Sequence, residues 1–214
     1  MSKISIIIPA YNASEYLDAS IRSCLEQNLK PLEVIVIDDG SQDDTPLVVE
    51  KFTKKITYRR TSNQGVAAAR DFGASLASGH WLLFLDADDI LRKNALEDLI
   101  TISNKNAKAD VIYGKVWEER PPPLSNRENG FDFCAGKPPL PTQRNIHRCA
   151  IITPGSAIIK KTLFQQVGGF TSGTEPLEDR ELWLRCGLIS EIAYCSSVLL
   201  EKRWVANSHG TQHA

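Results

Sequence analysis

Trp81-Leu82-Leu83-Phe84-Leu85 runs apolar without a break and then stops on three carboxylates in four positions, Asp86, Asp88 and Asp89. Such a run, entered from Ser78-Gly79, predicts a strand buried on both faces. The carboxylates then fall at or just beyond its C-terminal end, where open α/β sheets place their ligands. Alternation along an extended chain points Asp86 and Asp88 the same way and turns Asp89 aside. Uncompensated, the cluster repels itself. A hard cation, Mg²⁺ or Mn²⁺, held by one or two carboxylates plus phosphate oxygens relieves that. The plainer reading is a solvated acidic turn that caps the next helix, and the sequence weighs the two evenly.

Two earlier stretches follow the same plan. Lys3 to Pro9 is a β-branched run closed by proline, and Glu33 to Ile37 ends on Asp38-Asp39-Gly40-Ser41. Between them Leu17, Ile21, Cys24 and Leu25 recur at helical spacing, giving a helix to about Asn28 with Asn12 or Ser14 as N-cap. Thr45-Pro46 reads as an N-cap with proline at the first helical position, and Val48, Val49 and Phe52 form that helix's inner face. Ile56 to Arg60 predicts a third strand and Val66 to Ala77 an Ala-rich helix. After the Trp81 strand, Leu96, Leu99 and Ile100 mark another helix and Asp110 to Val116 another strand. Strict alternation of this kind predicts a doubly wound, mostly parallel α/β sheet.

The character changes after Trp117. Glu118 to Gln143 contains Pro121-Pro122-Pro123 and Pro138-Pro139-Leu140-Pro141, so no regular element is expected there. Regular structure resumes at Ile151, with a strand over Ser156 to Lys160 and helices over Thr162 to Val167 and Pro176 to Cys186. Edge strands are expected at Ile192 to Tyr194 and Val198 to Leu200.

A chain of 214 residues, 42% hydrophobic and 24% charged, suits a single compact domain. Its net charge of −1 leaves no footprint for nucleic acid and no general pull toward acidic membranes. The five cysteines are scattered without CxxC spacing, which suggests neither disulfides nor zinc and fits a reducing, cytoplasmic compartment. Ile4 to Ile8 is too short for a signal peptide, and nothing approaches a membrane-spanning run.

A dinucleotide-binding site would show GxGxxG after the first strand, and a P-loop GxxxxGK[ST]. The turn here, Pro9-Ala10-Tyr11-Asn12-Ala13-Ser14, has no glycine, so phosphate would be held by a metal. Tyr11 offers a flat face for a base, and Arg70 could neutralise phosphate or fix the base edge. Glu178-Asp179 opens a helix. It is either an ordinary acidic first turn or a carboxylate facing the acidic sheet edge, able to take a proton from a hydroxyl.

These residues carry a resemblance. The chain resembles a family 2 glycosyltransferase of the GT-A fold. The matching pieces are Ser5 to Asn12, Val36 to Ser41, Asn63 to Gly73, Gly79 through Asp89, Val167 to Phe170, and Glu178-Asp179 with Leu182 to Arg185, in the family's order. The resemblance implies a Rossmann-like sheet flanked by helices with a smaller acceptor-side segment. Residues 1–117 would be the nucleotide-sugar half, 118–145 a Pro-rich loop, and 146–214 the acceptor and catalytic-base half. It implies a nucleotide-sugar donor, most often a UDP-sugar, and transfer with inversion. Pro9, Tyr11, Asp38 and Asp39 would hold base and ribose, Arg70 the nucleotide and Asp86 the ribose. Asp88 would hold Mn²⁺ or Mg²⁺, joined by His209, and Asp179 would be the general base.

Departures stand at Arg180, usually aromatic in the family, and Glu181, where Asp is common. Arg203-Trp204 lacks the QxxRW context of processive synthases. The acceptor implied is a glycan, a lipid-linked saccharide or a protein, as in polysaccharide biosynthesis, with peripheral membrane association left open. An inactive nucleotide-sugar-binding or scaffold protein of the same fold is the alternative. A nucleotidyltransferase would need a Gly-rich basic loop after the first strand, which is absent.

Overall fold

The computed structural model describes residues 3–118, 127–129 and 152–204. Its first half is the parallel sheet that the apolar runs predict. Strands β1 (Ile4–Ala10), β2 (Glu33–Asp38), β3 (Thr57–Arg60) and β4 (Trp81–Phe84) lie side by side in the order β3-β2-β1-β4. All four point the same way, so the chain segments that follow them leave from one edge. Proline is tolerated at position 9 because β1 pairs with β4 only as far as Ile7, opposite Phe84.

Helices α1 (Leu17–Leu25), α2 (Thr45–Glu50), α3 (Val66–Leu76) and α4 (Ala95–Lys105) connect these strands and those that follow. Side chains alternate across the sheet, so β1 sends Ile4, Ile6 and Ile8 into one core layer and Ile7 into the other. The first layer takes Leu17, Ile21 and Cys24 of α1, Val48 and Val49 of α2, and Leu96 and Leu99 of α4. The second takes Ala67, Ala69 and Ala74 of α3. Small residues let α3 lie close to the sheet; a Cβ at Gly73 would collide with Ile7.

The sheet then departs from the doubly wound expectation. Strands β5 (Ile90–Leu91), β6 (Ala109–Glu118), β7 (Arg127–Asn129), β8 (Ala157–Lys160) and β9 (Glu191–Lys202) extend it as β4-β8-β6-β9-β5, with β7 on β6. Because β8 is antiparallel to both β4 and β6, the parallel direction returns in β6 and β9. Six of the nine described strands thus share a direction, while β5, β7 and β8 oppose it. The sheet is mixed and mostly parallel. Helices α5 (Lys161–Val167) and α6 (Glu178–Ile189) complete the second layer through Leu163, Phe164, Leu182, Trp183 and Cys186.

Several local expectations are corrected. The two edge strands near the C-terminus are one strand, β9, broken in register between Cys195 and Val198 and flanked by β6 and β5. Neither Asn12 nor Ser14 caps α1, which starts at Leu17 after a turn. Proline does not open α2 at its first position: the helix starts at Thr45, preceded by Asp44. The Pro-rich stretch holds one short strand, β7, in a part free of proline. Glu118 ends β6, while residues 119–126 and 130–143, Cys149 and His209 lie outside the described residues. Cys24 and Cys186 are buried core thiols, as expected. Burial pushes the Cys24 thiol up to about 12. Among the described residues no helix is long and apolar enough to cross a membrane.

Candidate active site

The acidic end of β4 sits at the edge where the parallel strands finish. Extended structure stops at Phe84, and Asp86 to Asp89 form a turn closed by the Asp89 N–H on the Asp86 carbonyl at 3.1 Å. The alternation that turns Asp89 aside therefore does not apply. Oxygens of Asp86, Asp88 and Asp89 all lie within 4.8 Å of one another. Asp86 and Asp88 are half-buried, whereas Asp89 is 1% exposed and its carboxylate oxygens lack a well-formed hydrogen bond, the Arg203 main-chain N–H acting on them only weakly. Burial, then Asp86 and Asp88, push the Asp89 carboxyl well above its ordinary range. Burial, then Asp86, raises Asp88 as well.

The end of β9 supplies counter-charge. Burial works against the Lys202 ammonium, but Asp89, Asp86, Asp88 and Glu118 outweigh it and strengthen its hold on its proton. Arg203 donates from Nε to the Asp88 carbonyl and from Nη2 to the Tyr16 carbonyl at 3.2 Å, with its guanidinium 5.2 Å from the Tyr16 ring centre. Oxygen-only donors with an orphaned buried carboxylate suit a hard divalent cation.

The loops after β1 and β2 latch together beside this tip. The Asn12 N–H donates to Ser41 Oγ at 3.0 Å, and Asn12 Oδ1 accepts from the Gln42 N–H at 2.7 Å. Tyr11 is left 47% exposed at the sheet edge, while Pro9 is buried in β1. Asp38 is wholly buried; it accepts from the Ser41 N–H at 2.8 Å and the Tyr58 hydroxyl at 2.7 Å. Asp39 accepts from the N–H groups of Gln64 at 3.0 Å and Gly65 at 2.8 Å, which fixes the entry to α3. Gly40, at φ +79°, is required there: a side chain would strike the Asn63 backbone nitrogen at 2.9 Å.

Arg70, one turn into α3, does not face open space as a phosphate contact would. It is 3% exposed and donates to Asp86 Oδ1 and to Glu178 Oε1, each at 2.7 Å. Glu178 opens α6 and is 7% exposed, with Oε2 unpartnered. The next residue, Asp179, is half-buried and accepts from the Arg180 N–H at 2.6 Å. Burial first, then Glu178, raises the Asp179 carboxyl above its ordinary range; Arg70 partly offsets this.

The chain thus brings the β4 tip, the Asp39 loop and the start of α6 to one region. Sequence reasoning singled out the Glu178-Asp179 pair but gave the site role to Asp179 alone, and it read Arg203 only through the missing QxxRW context; Lys202 was missed, since nothing in the sequence marks it as part of this region.

A family model described as Glycosyl transferase family 2 matches residues 5–168. An uncharacterized glycosyltransferase of Rickettsia prowazekii is 30% identical over 94% of this chain and 63% of its own length. Glycosyltransferase GlyG of Streptococcus pneumoniae is 31% identical over 77% of this chain and 58% of its own length. The chain therefore spans less than two thirds of these relatives. Among solved structures, S. aureus TarS 1-349 in complex with UDP-GlcNAc matches with a TM-score of 0.80 at 23% identity, covering all of this chain and 61% of that one. Mannosyltransferase PcManGT from Pyrobaculum calidifontis, in complex with GDP-Man and Mn²⁺, matches with a TM-score of 0.69 at 18% identity, covering 99% and 59%. These likenesses establish the GT-A fold.

Proposed function

The chain belongs to glycosyl transferase family 2, and on that premise we propose that it moves a sugar from a nucleotide-diphosphate donor, a UDP-sugar, to an acceptor hydroxyl with inversion and without processivity. The observation that carries this reading is the meeting of the β4 carboxylates with the start of α6, bridged by Arg70.

Residues 1–117 bind the donor. The exposed Tyr11 and the latched loop behind it, with Pro9, Asp38 and Asp39, form the seat for base and ribose. Asp38 and Asp39 act there chiefly by holding the loops rigid, since their oxygens already accept from protein donors. Asp88, with Asp86 and Asp89, would hold Mn²⁺ or Mg²⁺, which when bound neutralises charge growing on the departing diphosphate. Lys202 adds a fixed positive charge beside those carboxylates. Residues 146–214 form the acceptor side. Asp179, whose raised proton affinity suits a base, removes the proton from the acceptor hydroxyl as it attacks the anomeric carbon from the face opposite the diphosphate. The acceptor is a glycan, a lipid-linked saccharide or a protein in a glycan-building pathway.

The test is a panel of nucleotide sugars incubated with the protein with and without Mn²⁺, scored for release of free nucleotide. Slow, Mn²⁺-dependent hydrolysis of a UDP-sugar is expected. Binding of UDP with no release from any donor would favour an inactive binding protein of this fold instead.

A further inference from the structure

Among the described residues, Asp179 is lightly anchored for a residue that must meet a reacting hydroxyl: the bond that holds its carboxylate comes from the N–H of the next residue, Arg180. Glu178, its neighbour, is tied down far more firmly. Its Oε1 sits 2.7 Å from the Arg70 guanidinium, and the same guanidinium reaches Asp86 at 2.7 Å. The Phe170 ring lies 5.2 Å from that guanidinium. Arg70 itself is carried by α3, whose entry is pinned by Asp39 through the Gln64 and Gly65 N–H groups.

Stability alone is a weak reason for such a bridge. Buried ion pairs often do no better than apolar packing of the same size, because the charges must leave water. This one also leaves Glu178 Oε2 and Arg70 Nε without hydrogen-bond partners. What the bridge does supply is geometry. It links an aspartate of the β4 turn to the first residue of α6 through one rigid planar group.

We infer that Glu178, held by Arg70, is a positioning residue that sets where the Asp179 carboxylate stands relative to the acidic tip of β4. This rests on the proposed transferase reading. In that reading the donor is held at the β4 tip and the base approaches from α6, so the distance between them decides turnover. Glu178 touches neither substrate; it acts through the backbone of α6 and through its charge beside Asp179. Among the described residues, the charged groups that act most strongly on Asp179 are Glu178, Arg70 and Asp86.

The experiment uses the full chain and compares wild type, Glu178→Gln and Arg70→Lys. UDP-Glc, UDP-GlcNAc, UDP-Gal and GDP-Man are each supplied with Mn²⁺, and binding of UDP with Mn²⁺ is measured by calorimetry. Glu178→Gln keeps the side chain's shape but replaces the charge-assisted bond to Arg70 with a neutral one about half as strong, which loosens the bridge, and it removes the charge beside Asp179. On the donor that wild type hydrolyses, its kcat should fall on the order of a hundredfold. Donor KM and UDP affinity should stay within about twofold, as expected when only transition-state geometry is lost. The acidic limb of its kcat profile should move to lower pH, because a like charge beside Asp179 is gone. Arg70→Lys, which cannot grip both carboxylates, should show the same loss of kcat if Glu178→Gln does not fold. A kcat near wild type with an unmoved limb overturns the inference while leaving the transferase reading intact. A fall in kcat matched by a rise in KM and a loss of UDP binding also overturns it, since that marks general loosening. A wild type that turns over no donor withdraws the transferase reading, and this inference with it.

Discussion

Arg203 donates from Nε to the main-chain carbonyl of Asp88, although 115 residues separate them. The end of β9 thereby fixes the turn that presents the β4 carboxylates. Its Nη2 reaches the Tyr16 carbonyl, and its guanidinium carbon lies 5.2 Å from the Tyr16 ring centre. Arg203→Met removes both bonds while filling similar space. A hydrogen bond from a charged donor contributes about 1.5–3 kcal/mol, so a fall in melting temperature of several degrees is expected. If Asp88 holds the metal as proposed, affinity for Mn²⁺ in the presence of UDP should drop on the order of tenfold, as for other changes behind a metal ligand. Thermal melts and calorimetry check the two effects separately.

Arg70 balances two carboxylates inside the protein. Arg70→Met would leave Asp86 and Glu178 facing each other without a cation. Breaking a buried pair from one side costs about 3–5 kcal/mol. Denaturant unfolding should show a loss of that order, and the Arg70→Met, Glu178→Gln double variant should recover part of it. Additive losses would mean that the pair is not coupled.

The raised proton affinity of Asp179 gives a signed pH dependence. Burial and Glu178 favour its protonated form in the folded protein. The folded state therefore binds this proton more tightly than the unfolded chain, and the group subtracts stability as pH rises through its folded value. In the proposed role Asp179 is the base and must be ionised, so kcat should rise over the same interval. The midpoint should lie above the ordinary aspartate value of about 3.9. A kcat profile between pH 4 and 8 shows it, and a limb at or below that value would contradict it.

Gly79, just before β4, faces β1 at close range. A Cβ there would meet Ser5 Oγ at 2.5 Å, the Ser5 nitrogen at 2.7 Å and the Lys3 carbonyl at 2.9 Å. Backbone on one side cannot yield as a side chain does. Gly79→Ala should cost at least the 1–3 kcal/mol roughly typical of overpacking. Chemical denaturation measures it, and an unchanged midpoint would contradict the packing described.

The sheet's first half was legible because β1, β2 and β4 are nearly continuous apolar runs and its helices repeat at helical spacing; polar β3, Thr57–Arg60, showed only by its place in the alternation. β5 was not: Ile90–Leu91 is too short to show a period. The place of β8 between β4 and β6 was not legible either, since insertion into a sheet leaves no local trace in Ala157–Lys160. At the site, Asp86, Asp88 and Asp179 stand out as carboxylates at element ends. Asp89 was misplaced because the period of two was carried past Phe84, where the strand has already stopped. Arg70 was read as facing a ligand because an arginine in an Ala-rich helix gives no sign of burial. Its two carboxylate partners lie 16 and 108 residues away.

Turnover by Asp179→Asn is the most direct measurement of the central claim. The amide keeps the side chain's shape and cannot take a proton. Donor turnover should fall by about 10²–10⁴, the usual worth of a positioned base, while the rise in melting temperature on adding UDP with Mn²⁺ stays as in wild type. A variant that still turns over donor at close to the wild-type rate would contradict the account.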